Sequence, residues 1–68
     1  MLLTNRTAQL TGPELRERRR AAEITQARLA AGWGVNRQRV AHVEALAAPS
    51  PRAIRQYLEA LAQVEADR

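Results

Sequence analysis

The 68-residue sequence predicts a small all-α domain, a compact bundle of four to five helices. β-Branched and aromatic residues are sparse, and no stretch alternates apolar and polar side chains over the length of a strand. Apolar residues recur instead at helical spacing, and Gly, Pro, Ser, Thr and Asn separate these stretches. We divide the chain into an N-terminal arm over residues 1–10, expected to be mobile, a globular domain over 11–64 and a C-terminal tail over 65–68.

The first two helices are predicted over about residues 13–22 and 26–33. Thr11-Gly12-Pro13-Glu14 is typical of a helix start, with Thr11 or Gly12 as the cap and Pro in the first turn. Thr25 precedes the second helix, whose apolar stripe includes Leu29 and Trp33. Gly34 follows it and suits the left-handed conformation that ends a helix.

The third helix is predicted over about residues 37–46, with Asn36 as its cap and with Val40 and Val43 facing inward. A helix, a tight Gly-containing turn and a second helix form a helix-turn-helix arrangement. Ala47-Ala48-Pro49 ends the run, and Ser50-Pro51 begins a last helix. Its apolar stripe consists of Ile54, Tyr57, Leu58, Leu61 and Val64.

The charge is unevenly distributed along the chain. All 11 basic residues are Arg, against 7 acidic residues, for a formal net charge of +4. Residues 1–44 carry this entire excess, because the remaining residues are electrically balanced. A basic surface on a small domain favours nucleic acid or another polyanion as partner, and the alternative is a solvated helix face.

Other functional classes are disfavoured by composition and length. The absence of Cys excludes disulfides and thiolate zinc sites. The longest unbroken apolar run, residues 45–48, is far too short to span a membrane, and the first residues do not resemble a secretory signal. A chain this small rarely encloses an enzyme pocket. We therefore expect a cytoplasmic binding protein with no enzymatic activity, no cofactor, no metal and no membrane association.

Three motifs occur in order and in register. Leu10-Thr11-Gly12-Pro13-Glu14-Leu15-Arg16 is followed by Ile24-Thr25-Gln26-Ala27-Arg28-Leu29-Ala30 and then by Gly34-Val35-Asn36-Arg37-Gln38-Arg39-Val40-Ala41-His42-Val43-Glu44. Residues 11 to about 61 thereby resemble the Cro/C1-type (XRE) helix-turn-helix family of bacterial and phage regulators, which implies a lambda-repressor-like fold. Two positions differ from the family pattern. Leu46 stands where a Gly is usual, and Gly32 interrupts the last turn of the second helix.

The resemblance implies that the third helix enters the DNA major groove. The side chains that match base-contacting positions are Arg37, Gln38 and His42. Arg suits guanine and Gln suits adenine, while phosphate contact alone is the alternative for Arg37 and Arg39, and an ordinary surface histidine is the alternative for His42. The side chains expected to bind phosphate are Gln26, Arg28, Asn36 and Arg39.

Two further expectations are architectural, the first from the resemblance and the second from the apolar stripe of the last helix. Arg19 and Glu44 match a family ion pair that would hold the third helix at a fixed angle, and its energetic value depends on burial. The apolar stripe of the last helix is expected either to form a dimer seam or to close the monomer core. The residues of this seam are Tyr57, Leu58, Leu61 and Val64.

The resemblance implies a transcriptional regulator that binds double-stranded DNA. We favour a repressor of phage Cro-like or anti-CRISPR-associated type that acts as a homodimer on a palindromic operator. This interpretation follows because the chain has no room for an activation domain. The alternatives are an antitoxin paired with a toxin, and a protein–protein interaction module on the same fold.

Overall fold

Four helices are present in the computed structural model, which describes residues 10–68. They are α1 (Gly12–Ala21), α2 (Gln26–Trp33), α3 (Arg37–Ala45) and α4 (Pro51–Ala66), and residues 10–68 contain no strand. The predicted all-α class is confirmed, with four helices rather than five. Residues 1–9 of the expected N-terminal arm lie outside the described residues, whereas Leu10 packs against the core.

Each helix begins at a side chain that caps it. Thr11, Thr25, Asn36 and Ser50 all adopt extended backbone conformations and accept a hydrogen bond from the N–H of the third helical residue. At α1 the cap is reciprocal, because the Glu14 carboxylate accepts the Thr11 N–H at 2.8 Å. These caps define the helix starts close to where the sequence places them.

The end of α3 explains why Leu46 replaces the usual Gly. Leu46 terminates the helix in an extended conformation, with φ −79° and ψ 136°, so no left-handed residue is needed there. Its carbonyl accepts the N–H of Gly12 at 2.8 Å. A Cβ on Gly12 would lie 2.5 Å from the carbonyl oxygens of Val43, Glu44 and Leu46, so only glycine allows the start of α1 to approach the end of α3 this closely.

The core lies where α2 packs against α3 and α4, and where α1 packs against the same two helices. Its largest fully buried side chains are Tyr57, Leu15, Leu29, Ile54, Val40, Val43 and Val64. With few large residues and no Phe, the core depends on close approach between helices.

The apolar stripe of α4 faces this core. Tyr57, Leu61 and Val64 are 0%, 6% and 1% exposed, while Leu58 is half-buried. This burial corrects the expected dimer seam: Tyr57 and Val64 pack inside the monomer, and only Leu58 and the small exposed part of Leu61 remain at the surface.

The C-terminal end of the chain is ordered onto α1. Residues 65 and 66, which the sequence analysis assigns to the tail, are the last two residues of α4. The Arg68 guanidinium donates a hydrogen bond to the carbonyl of Ala22, just beyond α1. Although α4 is the longest helix in residues 10–68, neither it nor any other helix there has the length and apolar character needed to cross a membrane.

Close packing of α2 against α4 explains why a glycine occupies position 32 in α2. A Cβ at this position would overlap Cγ2 of Val64 on α4, a β-branched side chain that is 1% exposed and has little freedom to move. The glycine therefore allows α2 and α4 to pack in contact, which offsets its poor helix propensity.

We predict that Gly32→Ala lowers the free energy of unfolding by about 1–3 kcal/mol, because overpacking outweighs the gain in helix propensity. Ala31→Gly, at the exposed neighbouring position, is the control for propensity alone and should cost about 1 kcal/mol. Chemical denaturation of both variants measures these values. A stabilised Gly32→Ala protein would show that the two helices can separate without penalty.

Candidate nucleic-acid interface

The exposed face of α3 carries the side chains that the sequence assigns to DNA. Because Val40 and Val43 are buried, the helical repeat turns the opposite side of α3 to solvent. Arg37, Gln38 and His42 are all exposed on that helix, as is Arg39. Within residues 10–68, no three His, Asp or Glu side chains come close enough to share a metal ion.

The start of α2 lies beside the start of α3. Arg28 and Asn36 are exposed and Gln26 is half-buried. Asn36 accepts the Arg39 N–H through Oδ1 at 2.8 Å, so its amide nitrogen stays available to another acceptor. Arg37 donates from Nη1 to Gln26 Oε1 at 3.1 Å. Arg37, which is expected to read a base, and Gln26, which is expected to bind phosphate, are thus hydrogen-bonded to each other.

Glu44 stands at the centre of a buried hydrogen-bond cluster. Arg19 donates to it from Nε at 2.7 Å and from Nη2 at 3.2 Å, forming a bidentate ion pair. Gln26 Nε2 donates to Oε1 at 3.0 Å, and the Tyr57 hydroxyl donates to Oε2 at 2.5 Å. The Arg19 and Glu44 side chains are only 9% and 3% exposed. The pair therefore lies in the buried regime, where loss of one partner is costly.

The outer bonds of this cluster leave its members fully satisfied. Arg19 Nη1 also donates to the Ile24 carbonyl at 2.7 Å, and the Tyr57 hydroxyl lies 3.1 Å from the Leu15 carbonyl. In residues 10–68 no buried side-chain nitrogen or oxygen lacks a partner. Tyr57 is not assigned to this cluster from the sequence. One signal was present, since a Tyr within an otherwise aliphatic stripe needs a partner for its hydroxyl.

A second contact joins α2 to α3 through an aromatic ring. Trp33 is half-buried and meets Tyr57 edge to face, with ring centroids 5.9 Å apart and an interplanar angle of 77°. The guanidinium carbon of Arg39 lies 5.9 Å from the Trp33 ring centroid. This separation is within the range of a cation–π interaction. From the sequence, Trp33 is assigned only to the apolar stripe of the second helix, and this contact is not foreseen.

Comparison with protein families matches residues 15–67, most of the chain, to a helix-turn-helix family. The chain belongs to the Cro/C1-type helix-turn-helix family. It is a DNA-binding helix-turn-helix regulator. Helices α2 and α3 have the order and the short connecting turn of the motif, whose second helix is by convention termed the recognition helix. Neither a curated protein nor a solved structure matches the chain significantly.

The buried cluster of this helix-turn-helix protein shifts the pKa values of its members. Burial raises the pKa of the Glu44 carboxyl, but hydrogen bonds from Arg19, Tyr57 and Gln26 lower it by more, so the pKa lies below its ordinary value. The hydrogen bond to Glu44 raises the pKa of Arg19 despite the opposing effect of burial. Burial, followed by the hydrogen bond to Glu44, raises the pKa of Tyr57. The cluster therefore holds an ionised carboxylate at neutral pH.

We predict that the protein loses stability in acid because Glu44 becomes protonated. The pKa of Glu44 is lower in the folded protein than in the unfolded chain, where it is about 4.3. Glu44 therefore stabilises the folded state at pH values above about 4.3, and this contribution is lost as the pH falls through the folded-state pKa. Denaturation of wild type and Glu44→Gln between neutral pH and pH ~3 measures the difference.

Glu44→Gln should lack this acid-dependent component, while Glu17→Gln, at an exposed position on α1, should retain it. If Glu44→Gln does not fold, Tyr57→Phe serves instead. That variant removes one hydrogen bond to the carboxylate and should move the acid transition to higher pH. An unchanged acid transition in the folded variant would contradict the assignment.

Proposed function

We propose that this protein is a sequence-specific repressor that binds duplex DNA as a homodimer. The observation that carries the proposal is the exposed face of α3, where Arg37, Gln38 and His42 lie together with Arg39. Residues 36–42 contain no acidic side chain to oppose a phosphate backbone. An apolar strip here would favour a protein partner, whereas long polar and basic side chains suit the donor and acceptor pattern of base edges.

Arg37 is the strongest candidate for a base contact. Gln26 accepts one of its N–H groups, which leaves the other guanidinium donors available for O6 and N7 of a guanine. Gln38 suits adenine, and His42 lies one turn further along the same helix. These three side chains would supply the direct reading of sequence.

Arg28, Asn36, Arg39 and Gln26 surround this face and are proposed as phosphate ligands. The Asn36 amide nitrogen is not used by its capping bond, and Gln26 retains a second amide hydrogen beyond the one given to Glu44. The start of α2 adds the partial positive charge of a helix N-terminus. Contacts of this kind set the register of the protein on DNA without reading bases.

A single module of this size buries only about 600–1,000 Å² on DNA, so useful affinity requires two copies. Between α1 and α4 lies an open groove of about 430 Å³, lined by Arg18, Ala21, Leu58, Leu61, Ala62 and Glu65. Arg18 and Glu65 are exposed and opposite in charge. We propose that a second copy of the chain occupies this groove, with each Arg18 paired to the partner's Glu65 across a two-fold axis.

Selection of bound fragments from random duplex DNA tests the proposal as a whole. We expect an enriched palindrome whose half-sites are about one helical turn apart, because each recognition helix of a dimer enters one major groove on the same face. Such a dimer would repress in the cytoplasm by covering a promoter. Recovery of no enriched sequence at moderate ionic strength would overturn the sequence-specific function.

Arg37→Ala should weaken binding to the selected site by about 1–3 kcal/mol and relax the choice at one base pair. Binding assays on the selected site and on single-base variants measure both effects. Arg16→Ala, which removes the same charge from an exposed position on α1, should leave base preference unchanged. An equal loss on every duplex would instead make Arg37 a phosphate contact.

Charge reversal tests the proposed dimer. Arg18→Glu should weaken self-association, because like charges would face each other across the symmetry axis, and the double variant Arg18→Glu with Glu65→Arg should restore it. Sedimentation equilibrium at low salt measures both proteins. A wild-type monomer, or a single reversal without effect, would contradict this interface.

A further inference from the structure

We propose that Trp33 is a positioning residue for DNA binding, whose ring holds the Arg39 guanidinium in place for a phosphate. The inference rests on the proposed function, in which Arg39 is one of several phosphate ligands. It assigns a role to an aromatic side chain of α2 that contacts Tyr57 of α4 and Arg39 of α3. Trp33 contacts Arg39 directly and is itself anchored by Tyr57.

Arg39 projects from the first turn of α3 and is exposed to solvent. Its backbone N–H is held by the Asn36 cap at 2.8 Å, so the origin of the side chain is fixed. The far end is held by the ring, with the guanidinium carbon 5.9 Å from the Trp33 centroid. A cation–π contact uses the flat face of a guanidinium, which leaves its N–H edges free to donate to phosphate oxygens.

Trp33 is held in place by the buried Tyr57 and, through it, by Glu44. Its ring is half-buried and packs edge to face against Tyr57, which is 0% exposed. Tyr57 is in turn held by its hydrogen bond to Glu44 at 2.5 Å. A rigid support of this kind orders a long arginine side chain during folding, so that less conformational freedom is lost when DNA binds.

Arg28 provides a matched comparison within the same surface. It is also an exposed Arg proposed to bind phosphate, and it lies near the start of α2. The structure gives a cation–π contact to Arg39 and, over residues 10–68, none to Arg28. Replacement by Lys keeps the charge of either residue and removes the planar group that stacks on a ring.

A double-mutant cycle tests the inference with mixed-sequence duplex DNA two helical turns long as the probe. Arg39→Lys should weaken binding about two- to fivefold more than Arg28→Lys does, as expected for a solvent-exposed cation–π contact. In a Trp33→Leu background this excess should disappear. Trp33→Phe, which keeps an aromatic ring, should retain part of it. If Trp33→Leu does not fold, the cycle is completed with Trp33→Phe, whose smaller excess is then the expected result.

The outcomes separate the inference from the function on which it depends. Additive effects of Trp33 and Arg39 substitutions, in a wild-type protein that binds duplex DNA, would overturn the positioning role alone. A wild-type protein that binds no duplex would overturn the proposed function and the inference with it.

Trp33 also offers a direct readout, because it is the only Trp in the chain. Acrylamide quenching of its fluorescence in the free protein should increase in Arg39→Ala, which uncovers the ring face. It should stay unchanged in Arg28→Ala. Equal quenching in wild type and Arg39→Ala would show that the guanidinium does not rest on the ring in solution, and would overturn the inference.

Discussion

One buried carboxylate joins all four helices. Glu44 belongs to α3 and accepts hydrogen bonds from Arg19 of α1, Gln26 of α2 and Tyr57 of α4, at distances between 2.5 and 3.2 Å. The core of so short a chain is small, so its packing alone gives limited specificity. These bonds tie the position of α3 to each of the other three helices. Burial of the charge is unfavourable by itself and requires this full set of partners.

Two series of side-chain contacts connect the Glu44 carboxylate to the exposed face of α3. In the first, Gln26 must turn its amide nitrogen toward Glu44, an acceptor only, so its oxygen faces Arg37, a donor only. The second passes through the rings of Tyr57 and Trp33 to Arg39. The first and third residues of the recognition helix are therefore both held before DNA arrives. Side chains that are already ordered in the free protein lose less conformational entropy when DNA binds, which favours affinity.

The sequence predicts local structure here better than it predicts contacts between helices. Capping residues and turn glycines are local signals, and they place three of the helices to within one residue of their observed bounds. The expected dimer seam depended instead on which side of α4 the rest of the chain covers, a tertiary question that periodicity alone does not answer. The same limit applies to Gly32, which is unfavourable for helix α2 in isolation and is explained only by Val64 of α4. The Arg39–Trp33 contact likewise joins two helices and has no signature in spacing.

The starts of α2 and α3, held in place by Glu44, form the proposed DNA-binding surface. Titration of the ¹⁵N-labelled protein with a selected duplex, followed by amide chemical shifts, locates the residues that meet the DNA. We expect the largest shifts to cluster over residues 25–28 and 36–42, with the C-terminal half of α4 little affected by the DNA itself. Shifts concentrated on α1 and α4, with residues 36–42 unperturbed in a protein that binds the duplex, would contradict this assignment.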